Sequence, residues 1–172
     1  MASTDDKATA ADSTAAAGPG AVADWGGSVL DEVTAWFFDD YIPTWVGIGS
    51  GTSSDGPETI LRYWGRPLHV ASSVFNQWLL TPEEVIGFLE LNHAPLREGG
   101  YTHTVAPDRQ VTLYGRNAAS VDVIWSRRRA DESEIERWAV HFEVRRTQEG
   151  RRMVSIVGEE TTKDALAEIW VR

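Results

Sequence analysis

The chain has 172 residues, 42% of them hydrophobic and eight of them tryptophan, enough apolar material for one globular domain. Its formal net charge of −10 opposes a phosphate backbone or an anionic membrane surface, so neither nucleic acid nor membrane is an expected partner. There is no cysteine, which excludes disulfides and thiolate metal sites, and no apolar run approaches the ~18 residues of a membrane-spanning helix.

Residues 1–24 are almost entirely Ala, Ser, Thr, Asp and Gly. Such a segment buries too little apolar surface to offset its ordering entropy, so a disordered tail is expected ahead of a single folded domain over 25–172. It carries one Lys and no apolar core, unlike a secretory leader, and a cytoplasmic location is expected. Ser28 and Asp31 have capping-box spacing. Val29, Val33, Trp36 and Asp40 follow at i, i+4, i+7 and i+11, with Leu30, Phe37 and Tyr41 beside them. This predicts an amphipathic helix whose apolar stripe ends in an acid and a phenol, stopped by Pro43. GIGSGTSSDG (47–56) reads as a flexible loop. Asp55, Pro57 and Glu58 open a short second helix that Gly65 and Pro67 close. Residues 67–80 are β-branched and apolar, as in a strand. Thr81, Pro82 and Glu84 form a capping box for a third helix reaching about Leu96, with Val85, Phe88 and Leu89 inward. Gly99 and Gly100 stop it.

From Tyr101 the period changes to two. YTHTV and QVTLYG flank a PDR turn, Val121, Val123 and Trp125 alternate with Asp122, Ile124 and Ser126, and Trp138, Val140, Phe142 and Val144 alternate with polar neighbours. RRMVSIV (151–157) follows the turn TQEG. The pattern predicts an antiparallel meander with one apolar face. Arg127, Arg128 and Arg129 stand beside Asp131, Glu132, Glu134 and Glu136, so the cluster neutralises itself and reads as a solvated hairpin tip.

Three helices before a curved antiparallel sheet, with LTPEEVIGFLE ahead of the meander and then YGRNAASVDVIWSRR, HFEVRR and GRRMVSIVGEE, resemble the nuclear transport factor 2-like superfamily in its SnoaL-like and ketosteroid isomerase-like branch. The resemblance covers about residues 28–162, and Arg151 stands where the family often has tryptophan. It implies an α+β cone, with the helices on the concave face of the sheet around an apolar pocket. It also implies a homodimer through the sheet, and either cofactor-independent isomerases, dehydratases and cyclases or members that only bind.

Such pockets catalyse by proton transfer, because an apolar surrounding pushes a carboxylate or imidazole toward neutral pKa. Asp40 on the first apolar stripe is the candidate base, with His103 or Tyr41 as its partner. His103 shares strand parity with Tyr101 and Val105. Trp36, His69 and Trp125 are candidate contacts for a small apolar substrate. Trp45, Trp64 and Trp78 belong to the same aromatic supply, in which core packing is the commoner role. His141 falls on the polar strand face, and His93, near the end of the third helix, suits the helix dipole. The scattered histidines and acids show no metal-ligand spacing, and no phosphate loop or nucleophile elbow occurs, so neither metal nor cofactor is expected.

Overall fold

A computed structural model describes residues 20–170. Helix α1 (Gly20–Ala35), a π-helical segment (Trp36–Tyr41) and α2 (Ile42–Ser50) follow one another without a break. Ser28 therefore lies inside α1 instead of capping it, and residues 20–24 of the expected tail are helical. The remainder of that tail lies outside the described residues. Pro43 does not stop the helix either. It enters at the start of α2, directly after the π segment, where the Ile42 N–H reaches back to the Phe37 carbonyl. The first four residues of the expected loop at 47–56 continue α2, and Gly51, at φ 73°, ends it in a left-handed cap.

The π segment has a packing reason. Val29, Val33, Phe37, Tyr41 and Trp45 are all buried and recur at every fourth position. A regular α-helix would drift about 40° for each four-residue step. One wider turn holds the row on one face.

A 3-10 turn (Pro57–Arg62) leads into strand β1 (Trp64–Ala71), which forms a hairpin with β2 (Asn76–Leu79). Helix α3 (Pro82–Glu98) starts with the predicted capping box: Thr81 Oγ1 accepts from the Glu84 N–H, and Glu84 accepts from the Thr81 N–H at 3.0 Å. Strands β3 (Tyr101–Val105), β4 (Arg109–Gly115), β5 (Ala118–Arg129), β6 (Glu134–Thr147) and β7 (Gly150–Glu160) complete the sheet. Its order is β2-β1-β7-β6-β5-β3, with β4 also on β5. The sheet is mixed, because β1 runs parallel to β7. The expected β3–β4 hairpin is absent: both strands pair with β5, β3 against 126–129 and β4 against 118–123.

This is an α+β cone whose curved, open sheet wraps the helices. Phe37 stacks on Trp125 at 6.2 Å and meets Phe142 edge-on at 5.0 Å, joining the helical rod to β5 and β6. Arg151 pairs with Glu32 and ties β7 to α1. On the outer face, Leu166, Ile169 and Trp170 cover Ile124 and Ala139. The Leu166 N–H anchors that segment on Asp108 Oδ2 at 2.8 Å. No described helix is long and apolar enough to cross a membrane.

Candidate functional site

The inner faces of β5, β6 and β7 and the sides of α2 and α3 line a half-open cavity of about 190 Å³. Its wall is aromatic, with Trp45, Trp64, Trp125, Trp138, Phe75 and Phe88. The strand period explains the floor. Val121 faces Phe142, Val123 faces Val140 and Trp125 faces Trp138 across β5 and β6. One more step of two residues along each strand places Arg127 opposite Glu136, inside the cone.

Arg127 and Glu136 form an ion pair through Nη1 and Oε1. The guanidinium lies over the Trp45 ring, 4.7 Å from its centroid. Its Nε is buried and has no partner among the described residues. Tyr41 adds a hydroxyl to the same cavity and accepts a bond from Trp64 Nε1 at 3.3 Å. Burial pushes the Tyr41 phenol far above its ordinary range, so it stays protonated. The charged groups of the cavity are thus one self-neutralised pair, accompanied by the neutral phenol and the uncharged side chains of Ser72 and Asn92.

Behind Trp45 sits His93, fully buried on α3, with its ring 4.2 Å from the Trp45 ring. Both ring nitrogens lack partners among the described residues. Burial, and then the nearby positive charge of Arg127 and Arg97, lowers its pKa to about 3. It is a neutral packing residue, in place of the expected dipole partner at the helix end.

The sequence candidates are not brought together. Asp40 is exposed and accepts a bond from Tyr63 Oη at 2.8 Å. The π turn displaces the inward row by one residue, from Trp36 and Asp40 to Phe37 and Tyr41. Trp36 packs outside the cavity against Tyr63, at 5.9 Å. His103 points outward to Glu132 Oε2 at 3.3 Å. A register shift between Tyr101 and His103 reverses its parity, so that Thr104, not His103, stands opposite Arg127. His69 lies on the outer face between inward Leu68 and Val70, bonded to Asn76 Oδ1 at 2.8 Å and packed on Trp78 at 4.8 Å. His141 lies on the outer face as expected, with Nδ1 2.8 Å from Asp122 Oδ1. Of the named candidates, Tyr41 and Trp125 line the cavity.

The sequence pattern places the arginine run in a turn and so hides Arg127 and Glu136 as cavity residues. Strand β5 in fact continues through Arg129, where Nε bonds the Gly99 carbonyl at 2.7 Å. Arg128 pairs with Glu132 at 3.6 Å. The local neutralisation holds, but the three residues are half-buried strand residues and no solvated tip. Extending the Val121–Val123–Trp125 alternation by one step was the available signal. Among the described residues no group of three His, Asp or Glu could hold a metal ion.

A curved open sheet around helices, with an aromatic cavity on its concave side, defines a protein of the nuclear transport factor 2-like class. The chain belongs to the family described as NTF2-like protein (DUF6841), whose model matches residues 31–161. It is similar to the crystal structure of an NTF2-like protein with a cystatin-like fold from Novosphingobium aromaticivorans, at 16% identity and TM-score 0.58, over 85% of this chain and 94% of that one. An NTF2-like superfamily protein from Salmonella enterica aligns at 12% identity and TM-score 0.56, over 84% of this chain and 99% of that one. Aln2 from a Streptomyces species aligns at 14% identity and TM-score 0.56, over 77% of this chain and 91% of that one. At these identities the likeness establishes the fold alone. No curated protein matches the chain.

Proposed function

We propose that this protein binds a small, mostly apolar molecule in the cone cavity. The observation that carries the reading is the Arg127–Glu136 pair set in an aromatic wall, a concave apolar site with a few convergent polar groups. Binding is favoured over catalysis because the carboxylate in the cavity is engaged by Arg127 and none of the four histidines lines it. An isomerase, dehydratase or cyclase activity would draw on Glu136 as base and Tyr41 as donor, because these two line one cavity while Asp40 and His103 lie outside it. A homodimer built through the outer face would have to form beside the segment covering Ile124 and Ala139. Sedimentation velocity on the full chain measures it.

The test is titration with toluene, read by tryptophan fluorescence. Saturable quenching is expected, and Gly158→Phe, whose side chain enters the cavity from β7 beside Trp138, should remove it. Unchanged emission, with no heat of binding by calorimetry, for toluene and for benzamide alike would sink the reading.

A further inference from the structure

We infer that the ligand is a neutral, planar molecule of about one ring that carries a hydrogen-bond acceptor and a donor side by side, as in a carboxamide or lactam, and that it bridges Arg127 and Glu136. The inference rests on the cavity being a binding site. Three observations lead to it.

The first is charge. Arg127 is already matched by Glu136, and both side chains are largely sheltered, with 12% and 30% of their surface exposed. A bound anion would leave one uncompensated negative charge among tryptophan rings, and a bound cation one uncompensated positive charge. Either is costly in a site of low dielectric. A neutral group avoids both.

The second is hydrogen-bond sense. A guanidinium only donates and a carboxylate only accepts. Nη1 of Arg127 is committed to Glu136, while Nε is buried without a partner among the described residues. An orphaned donor of this kind carries a desolvation penalty that a ligand oxygen would relieve after a small turn of the guanidinium. The protonated Tyr41 hydroxyl is a further donor in the same cavity. Donors and an acceptor lying next to each other complement an adjacent carbonyl and N–H, or carbonyl and O–H.

The third is size. An apolar cavity of roughly 150 Å³ admits benzene, so a cavity of 190 Å³ holds one ring and a small polar group. Flat rings on Trp45, Trp125 and Trp138 suit a planar ligand.

The experiment uses four probes of nearly one shape: benzamide, benzoate, benzamidinium and toluene, each titrated into the full chain by calorimetry and tryptophan fluorescence. Benzamide should bind at least tenfold more tightly than each of the other three. The double variant Arg127→Met/Glu136→Leu should bind benzamide and toluene alike. Benzoate binding most tightly would overturn the inference, because Arg127 would then act as an anion anchor. Toluene matching benzamide in the wild type would also overturn it and leave the cavity reading standing. No binding by any of the four would remove the cavity reading and the inference with it.

Discussion

Arg127 and Glu136 stand opposite each other in the register of β5 and β6 and form an ion pair on the concave side of the sheet. The pair sits where the aromatic rows of the two strands end, one step past Trp125 and Trp138. Position and chemistry are therefore linked: the alternation that buries tryptophan also carries the charges inward.

Removing one partner should cost more than removing both. Glu136→Leu leaves a guanidinium with only 12% of its side chain exposed and no counter-charge. It should lose about 1–3 kcal/mol of stability. Arg127→Met leaves the more exposed Glu136, which water can solvate, and should lose less. The double variant should lie within about 1 kcal/mol of wild type, as when apolar residues replace a whole buried pair. Urea denaturation of the four proteins closes the cycle. Simple addition of the two single losses would show that the groups are not coupled.

The fold was largely legible because the inner faces of β5 and β6 keep period two from Val121 to Arg127 and from Glu136 to Phe142. Val121, Val123 and Trp125, and Trp138, Val140 and Phe142, fall where alternation puts them. The site was less legible because two local insertions change the count. The π turn at Trp36–Tyr41 replaces Asp40 with Tyr41 on the inward row, and the irregularity after Tyr101 turns His103 outward. Each adds one residue to a period, and one residue is enough to exchange the two faces. Neither leaves a composition signal. The π turn follows from tertiary packing, which holds Phe37 and Tyr41 against Phe142 at 5.0 and 6.2 Å.

Asp40 therefore gives a clean negative control. Its carboxylate is exposed and bonded by Tyr63, away from the cavity lining. Asp40→Asn should change ligand affinity less than twofold, while Arg127→Met should weaken benzamide binding at least tenfold. Isothermal titration measures both. A large loss in Asp40→Asn would mean that the helix face is turned from the one described.

Gly49 marks the close approach of α2 to α3. A Cβ there would lie 2.9 Å from His93 Nε2 and 3.2 Å from Tyr101 Cε1. His93 cannot easily retreat, because Trp45 packs against it at 4.2 Å. Gly49→Ala should thus destabilise by about 1–3 kcal/mol through overpacking, despite the ~1 kcal/mol that alanine gains over glycine in a helix. In a His93→Ala background the same change should cost much less. Thermal denaturation of the four proteins tests the pair, and an equal cost in both backgrounds would place the clash elsewhere.

His93 and His141 should tilt the stability of the protein with pH in opposite directions. His93 is neutral in the fold, with its pKa lowered to about 3 by burial, whereas an unfolded histidine titrates near 6.5. Between those values the unfolded chain binds a proton that the fold excludes. The His93 contribution is then complete above about pH 6.5 and falls as pH drops, by about 1 kcal/mol at pH 5.5. His141 has its pKa raised, chiefly by the hydrogen bond it donates to Asp122. Its contribution is complete below about pH 6.5 and is lost as pH rises through the raised value. Single variants separate the two: His93→Met should flatten the acid limb of a urea-stability profile, and Asp122→Asn should flatten the neutral one. Proton NMR gives the site-specific check. The His93 ring signals should hold still from about pH 8 to 5, and the His141 midpoint should lie above about 6.5 and drop in Asp122→Asn. A His93 that titrates near 6.5 would be a solvated histidine, and the packing of Trp45 that carries Arg127 into the cavity would lose its support.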